Sequence, residues 1–182
     1  LANGIQVGIY FYSGATDAKT AYDEASFCIN LIKDYQITYP VAFDWELDGD
    51  YNSVTEACET FCNVIKSYGY QPMVYSNRNR WYNNFNGEKL SNKFKVWMAA
   101  YWSEYYYTST RWTYGDDLAS FKWHYDMWQY GVTDTVDGID GYVDMNIAFF
   151  GYANYKVNGA QDAALTVTNT CLLYTSPSPR DS

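Results

Sequence analysis

The sequence of 182 residues predicts an α/β fold, in which a barrel of strands is surrounded by helices. Strand-like and helix-like segments alternate through the first half of the chain, and strand-like segments follow one another in the second half. Acidic residues also lie at the ends of apolar strand patterns, where such barrels carry their functional groups. The order of these elements predicts an α/β barrel whose last helices are lost or shortened.

The composition is that of a packed globular chain, with 48% hydrophobic and 18% charged residues. A formal net charge of −9 opposes a polyphosphate partner, so we expect no binding to nucleic acid. No apolar run reaches the roughly 18 to 20 residues that a membrane-spanning helix needs, and no signal peptide is readable. Aromatic residues make up 20% of the chain, and tyrosine-rich surfaces often contact sugars or peptides.

Two strands and an amphipathic helix are predicted in the first 46 residues. Residues 4–12 have the pattern of an interior strand. Asp17 is the expected N-cap of a helix whose apolar positions recur at helical spacing as far as Ile32. Residues 39–46 form a short apolar run that ends in carboxylates. Because the first strand has nothing before it, we expect the N-terminal part of the domain to be missing.

A second helix is predicted to begin at a capping box formed by Ser53 and Glu56 and to end at Gly69. Further strands are expected at 71–76, 94–101, 127–130 and 141–146. Between them we expect a short polar helix or turn at 79–84 and a long aromatic loop at 102–123.

The candidate chemistry of the chain lies in its acidic residues. Asp44 and Glu46 are two residues apart in an apolar strand, so their side chains leave the same face with Cα atoms roughly 6.6 to 6.8 Å apart. Two close carboxylates in an apolar setting do not easily both ionise, so one would serve as a proton donor beside an anion. This pairing is typical of glycosidases, and a metal site or a salt-bridged strand end is the alternative. Asp144 adds a third acid at the end of a strand-like run.

Other residue types with possible chemistry are better explained as structural. Cys28, Cys58 and Cys62 fall on apolar stripes, which predicts buried thiols instead of a disulfide or a metal site. The sequence near His124 shows no nucleophile-elbow motif with serine or cysteine. A structural role for His124 is therefore favoured over a place in a Ser-His-Asp triad. The sequence therefore predicts no metal and no cofactor.

Several short motifs follow one another along residues 1–150: VGIYFYS at 7–13, YPVAFDWE at 39–46, FC at 61–62, GY at 69–70, VYSN at 74–77, WMAAY at 97–101, WQY at 128–130, VDGI at 136–139 and VDMN at 143–146. In this order they resemble glycoside hydrolase family 25, the lysozyme-type N-acetylmuramidases of bacteria and their phages. Phe11 stands where the family commonly has histidine.

This resemblance implies a fold of five strand–helix units followed by three strands. It also implies that Glu46 is the general acid, Asp44 its companion carboxylate and Asp144 the late acid of the site. The family places one further Asp on its first strand. We therefore expect an incomplete TIM-like barrel over residues 1–151, with its first two strands upstream of Leu1, which leaves open whether the chain is active alone.

The implied reaction is cleavage of the β-1,4 bond between N-acetylmuramic acid and N-acetylglucosamine in peptidoglycan, with the glycan strands as partner. The nucleophile is either water or the substrate's own acetamido group. The candidate glycan-binding residues are Tyr12, Tyr75, Trp97, Ala99, Tyr101 and Gln129, although inward aromatics also fill barrel cores. A catalytically silent glycan-binding module is the alternative from another functional class.

The remaining expectations concern the ends of the chain and its setting. Residues 152–170 are a candidate linker or the start of a following module. Residues 171–182 resemble a translated sequencing adapter and are excluded from functional argument. We expect the full-length protein to be a monomer that acts outside the cell or at the cell wall, or a phage-encoded endolysin.

Overall fold

The computed structural model describes residues 6–101, 121–150 and 171–175. Within these ranges one sheet of seven strands is accompanied by four helices. The elements are β1 (Ile9–Tyr12), α1 (Ala18–Ile32), β2 (Val41–Asp44), α2 (Tyr51–Ser67), β3 (Pro72–Asn77), α3 (Arg78–Asn83), α4 (Gly87–Ser91), β4 (Lys95–Ala99), β5 (Met127–Asp134), β6 (Val143–Ala148) and β7 (Cys171–Thr175).

The strands lie side by side in chain order from β1 to β7. β1 to β5 pair in parallel, whereas β6 is antiparallel to β5 and β7 is antiparallel to β6. A parallel pair needs a crossover connection, and α1 and α2 supply the first two. The predicted α/β class is therefore confirmed as a mixed sheet, while closure into a TIM-like barrel stays a prediction.

The first helix begins where the sequence predicts. The Asp17 side chain accepts a hydrogen bond from the backbone N–H of Thr20, at 2.8 Å. Its apolar stripe, which includes Ala21, Ala25 and Ile29, is buried. Because this stripe recurs at helical spacing, one side of α1 packs onto the sheet and α2 while the other faces solvent.

The second helix begins earlier than its predicted capping box. Asp50 is the N-cap and accepts hydrogen bonds from both the backbone N–H and the hydroxyl of Ser53, at 3.0 and 2.9 Å. The prediction of Ser53 as the cap was wrong, because Asp50, three residues earlier, accepts the hydrogen bonds that cap the helix. The helix therefore also includes Tyr51 and Asn52 in its first turn. The helix ends as predicted before Gly69, whose φ of 86° is in the left-handed region.

The later elements agree with the predicted order and differ in their lengths. β5 continues to Asp134, and β6 begins at Val143 and runs to Ala148. The short helix α3 matches the predicted segment 79–84, whereas α4 was not predicted. Most of the predicted aromatic loop, residues 102–120, lies outside the described residues, as does the candidate linker 152–170.

The backbone of Cys171–Thr175 pairs with β6, with Thr175 opposite Asp144. The prediction that 171–182 derives from an adapter concerns the origin of these residues. Strand pairing does not test it, so it stays a prediction.

The two faces of the sheet carry different side chains. One face packs under the helices and is mostly apolar: Phe43, Val74 and Met98 belong to its buried cluster, and Phe43 packs against Phe61 of α2. The opposite face carries Ala42, Met73, Tyr75, Trp97 and Ala99 in a second buried cluster. Because side chains alternate along a strand, each strand contributes to both faces. The candidate acids belong to the second face.

The three internal cysteines are buried free thiols, as predicted. Burial raises the pKa of the Cys28 thiol to about 11. Burial also raises the pKa of Cys58, and the neighbouring Cys62 adds to this. Helices in the described ranges are all too short or too polar to cross a membrane.

The cap at Asp50 yields a pH-dependent prediction. Its hydrogen bond from Ser53 lowers the pKa of the carboxyl below the ordinary 3.8. Because the pKa of Asp50 is lower in the folded than in the unfolded protein, its carboxylate stabilises the fold at any pH above the unfolded-state pKa. This stabilisation is lost as the pH falls through the folded-state pKa. Asp50→Ala should lower the denaturation midpoint at pH about 7. Asp50→Asn keeps the hydrogen-bond acceptor without the charge. Its denaturation midpoint should therefore approach that of wild type as the pH is lowered to about 2.

Chemical denaturation followed by circular dichroism measures these midpoints. Ser53→Ala is the comparison variant: it removes only the hydroxyl donor and keeps the backbone N–H that donates to Asp50, so it should lower the midpoint less than Asp50→Ala does. Equal midpoints for wild type and Asp50→Ala at neutral pH would show that the cap is elsewhere.

Candidate active site

One row of paired residues crosses the second face of the sheet near the carboxyl ends of the parallel strands. Tyr12 pairs with Asp44, Asp44 with Tyr75, and Tyr75 with Trp97. The sheet thus brings together four of the predicted site residues from four different strands. Ala99 and Gln129 pair with each other one step further toward the same edge.

Asp44 is the last residue of β2, and Glu46 follows two residues later. Both side chains are buried, with exposed fractions of 5% and 7%. Phe43 and Trp45 belong to the helix-side core, so alternation directs the residues between and after them to the opposite face. The pairing of these two carboxylates on one face stays a prediction.

Trp45, which lies between the two acids, is held from three directions. Its backbone N–H donates to Tyr75 O at 3.3 Å, its indole Nε1 donates to Ala15 O at 3.0 Å, and its carbonyl accepts from Ser76 Oγ at 2.6 Å. These bonds fix the backbone on either side of Asp44 and Glu46. The sequence gives no sign of Ser76 in this role beyond its position at the end of a strand.

The loop after β1 is fastened beside the same strand end. The Glu24 carboxylate accepts from Ser13 Oγ at 2.5 Å and from the backbone N–H of Gly14 at 3.0 Å. The backbone N–H of Ser13 donates to Asp44 O at 2.7 Å. Since Ala15 in this loop accepts the Trp45 indole N–H, α1 is connected through the loop to the candidate acids.

Asp144 reaches the site because of the direction of its strand. It is the second residue of β6, at the beginning of the strand and not at the end of a strand-like run as predicted. Since β6 is antiparallel to β5, its amino end lies at the edge where the parallel strands end. Asp144 is 8% exposed and therefore also buried.

Gln129 links Asp144 to two tyrosines. Its Oε1 accepts from the Tyr75 hydroxyl at 2.8 Å and from the Tyr101 hydroxyl. Its Nε2 donates to Asp144 Oδ2 at 3.0 Å. With an exposed fraction of 2%, Gln129 lies beneath the surface that it was predicted to form.

The aromatic residues of this face also have defined partners. The rings of Tyr75 and Trp97 pack edge to face with centroids 4.7 Å apart. The Trp97 indole Nε1 donates to Asn146 Oδ1 at 2.8 Å, and Asn146 Nδ2 donates to Asp144 O at 3.3 Å. Sequence reasoning missed Asn146, although its two-residue spacing from Asp144 places both on one face.

The remaining predicted binding residues differ in exposure. Tyr12 is 44% exposed on the edge strand β1, Tyr101 is partly buried, and Ala99 is buried beside Trp97. Their contact with a glycan stays a prediction.

Other titratable groups lie elsewhere. His124 Nε2 is 3.3 Å from Asp126 Oδ1, and Asp126 also accepts from Lys95 Nζ and from the backbone N–H of Val96. Among the described residues, no three acidic, histidine or cysteine side chains are grouped so that they could hold a metal ion. What this edge of the sheet offers is three buried carboxylates beside aromatic rings, an arrangement suited to proton transfer and stabilisation of a nearby positive charge.

Comparison with known proteins yields a family match. The sequence family described as "Glycosyl hydrolases family 25" matches residues 1–139 of this chain. A protein of Streptococcus phage B30 named "D-alanyl-L-alanine endopeptidase" is 26% identical over 157 residues, which cover 84% of this chain and 33% of that protein.

Two solved structures are similar in sequence and fold. The CTP1L endolysin is 26% identical with a TM-score of 0.57, covering 79% of this chain and 46% of the endolysin. The autolysin LytC of Streptococcus pneumoniae is 25% identical with a TM-score of 0.61, covering 80% of this chain and 34% of the autolysin. The chain thus spans about a third of the curated relative and less than half of each of these structures.

The bond from Ser76 to the Trp45 carbonyl yields a stability prediction. Ser76→Ala leaves a buried carbonyl without its hydroxyl donor, which should reduce the free energy of unfolding by about 1 to 3 kcal/mol. Ser67→Ala is the matched control, since Ser67 Oγ donates to Val64 O at an exposed position. This exchange should change the free energy of unfolding by about 0.5 kcal/mol or less. Urea denaturation measures both, and equal losses in the two variants would contradict the role of Ser76.

Proposed function

The chain belongs to glycosyl hydrolases family 25, and on this premise we propose that it is the catalytic part of a peptidoglycan hydrolase. The proposed reaction is hydrolysis of the β-1,4 bond between N-acetylmuramic acid and N-acetylglucosamine. The observation that supports the proposal is that Asp44, Glu46 and Asp144 are all buried, with Asp44 and Asp144 at the same edge of the sheet and Glu46 two residues after Asp44. Glycoside hydrolysis requires carboxyl groups that are placed together in this way.

Glu46 is the proposed general acid. It gives its proton to the glycosidic oxygen as the bond from that oxygen to the anomeric carbon of N-acetylmuramic acid breaks. The released N-acetylglucosamine end gains a hydroxyl group. The hydrogen bonds that hold Trp45 support this role, because they fix the backbone next to the acid.

Asp44 and Asp144 are the proposed negative charges near the reacting carbon. Bond breaking leaves an oxocarbenium-like centre with positive charge, and carboxylates in a buried setting stabilise such charge more strongly than they would in water. One water molecule is consumed overall, with its hydroxyl going to the anomeric carbon and its proton restoring Glu46.

The aromatic face is the proposed glycan surface. Tyr12, Tyr75, Trp97 and Tyr101 extend from β1 to the end of β4, with Ala99 leaving space between the last two. Sugar rings pack against aromatic rings through their C–H faces. Tyr75 and Trp97 are only 3% and 7% exposed and their polar atoms already have protein partners, so they would form the floor of this surface. Tyr12, which is 44% exposed, and the partly buried Tyr101 would contribute the stacking.

The proposed site of action is the bacterial cell wall, reached from outside the cell or as a phage endolysin. The net charge of −9 does not favour approach to an acidic wall. We therefore propose that stacking, or a separate wall-binding module joined through residues 152–170, supplies the attachment. The full-length protein is proposed to act as a monomer.

A second candidate function is a glycan-binding module that does not cleave. The aromatic row from Tyr12 to Trp97 favours it, since binding needs these rings and not the acids. The phage B30 relative suggests a further outcome for an assay, because its name describes cleavage of a peptide bond. Among the residues whose side chains are described, Cys28, Cys58 and Cys62 are buried and His124 lies beside Asp126, so none of these is arranged as a nucleophile with its base.

The decisive experiment is Glu46→Gln in the protein expressed from the complete reading frame. Loss of the proton donor should lower the release of reducing ends from purified peptidoglycan about 10²- to 10⁴-fold. Sedimentation with insoluble peptidoglycan should be unchanged, because the exchange preserves shape. Mass spectrometry of the wild-type products should find N-acetylmuramic acid at the new reducing end.

Glu56→Gln is the matched control, since it makes the same exchange at an exposed position of α2 and should keep full activity. Full turnover by Glu46→Gln would refute the assignment of the acid. Wild-type protein that sediments with peptidoglycan and releases no reducing ends would support the binding module, and release of free amino groups alone would indicate peptide cleavage.

A further inference from the structure

We propose that Gln129 is a positioning residue for the reaction and that Tyr75 and Tyr101 hold its side-chain amide with Nε2 directed at Asp144. The amide then presents an N–H donor to Asp144. This inference rests on the proposed function, because it assigns Asp144 a part in the chemistry. It changes the expected role of Gln129 from a glycan contact to a support beneath the site.

The three hydrogen bonds agree on one orientation of the amide. An amide oxygen accepts and an amide nitrogen donates, so the two ends of the glutamine side chain are not equivalent. Oε1 accepts from both tyrosine hydroxyls, at 2.8 Å for Tyr75, which leaves Nε2 directed at Asp144 Oδ2 at 3.0 Å. Turning the amide over would bring its oxygen against the carboxylate oxygen of Asp144.

This arrangement matches an ionised Asp144. An ionised carboxylate only accepts hydrogen bonds, whereas a protonated one also has a proton to donate. A donor aimed at Oδ2 therefore favours the anion, and each tyrosine hydroxyl that donates to Oε1 strengthens the N–H donor at the other end of the amide. Asp44, the last residue of β2, and Glu46, two residues after it, are the other candidate carboxyl groups. The Gln129 bond therefore favours Asp144 as a carrier of negative charge.

Burial makes the connection effective and prevents Gln129 from acting directly on substrate. Gln129 is 2% exposed and Tyr75 3% exposed, so the network lies in a medium of low polarity, where hydrogen bonds are stronger than in water. A side chain so covered acts through the groups that it touches. Its place on β5, next to β6, gives it a rigid support for Asp144.

The test is a cycle of conservative tyrosine variants in the protein expressed from the complete reading frame. Tyr75→Phe and Tyr101→Phe each remove one hydroxyl and keep the ring. Either hydroxyl alone still orients the amide, so each single variant should lower kcat by about threefold or less. The double variant frees the amide and should lower kcat about 10- to 100-fold, with KM changed by about twofold or less.

Turnover is measured on soluble glycan strands prepared from peptidoglycan, and thermal denaturation verifies that each variant is folded. Tyr22→Phe, an exposed position on α1, is the matched control and should leave kcat and KM unchanged. Gln129→Leu should lower kcat at least as much as the double variant does. Because this exchange leaves buried polar groups unpaired, the tyrosine cycle decides if the leucine variant does not fold.

Three results would overturn the inference. Losses in kcat that simply multiply in the double variant would show that the hydroxyls act independently. Increases in KM with unchanged kcat in each single variant would show that they bind the glycan. Full activity in the double variant would show that the network has no part in turnover. In all three cases wild-type turnover persists, whereas its absence would refute the proposed function itself.

Discussion

The register of β1 to β4 is the constraint on which the candidate site depends. It aligns Tyr12, Asp44, Tyr75 and Trp97 in one row across the sheet. Because side chains alternate with a period of two, a slip of one residue in β2 would turn Asp44 toward the helices and Phe43 toward the site. Burying a carboxylate in that apolar layer would cost several kcal/mol, roughly, if it had no partner there. The apolar core therefore determines which side the acids occupy.

Packing on the helix side thus supports the chemistry on the other side. Phe43 lies against Phe61 of α2 with ring centroids 5.2 Å apart, and Trp45 lies against Phe85 at 5.6 Å. These rings fix the odd-numbered residues of the strand, and the even-numbered acids follow from the same backbone. Ser76 completes the arrangement by holding the carbonyl between them. The placement of the candidate acids therefore depends on rigid elements and their neighbours.

Alternation and helical periodicity are local signals, and they were sufficient to predict α1 and the parallel strands, whereas the shared face of Asp44 and Glu46 stays a prediction. The contacts that sequence could not give depend on strands that meet only after folding. Asp144 was expected at the end of its strand and lies at the beginning, and only the antiparallel direction of β6 returns it to the site. The bond between Gln129 and Asp144 has the same origin. The cap at Asp50 was missed for a local reason, since two acceptable caps compete for one set of donors.

Among the described residues, buried aromatic rings lie on both sides of the sheet, and this division bears on how a glycan could be held. Helix-side rings such as Trp81 and Phe85 are fully buried and only fill space. On the other face, Tyr75 and Trp97 direct their polar atoms to Gln129 and Asn146. Tyr75 and Trp97 are thus buried with their hydrogen-bonding groups engaged, and the ring surface that remains for a sugar is that of Tyr12 and of the partly buried Tyr101. Stacking of this kind does not depend on charge, so a chain of net charge −9 could bind an acidic glycan without electrostatic attraction.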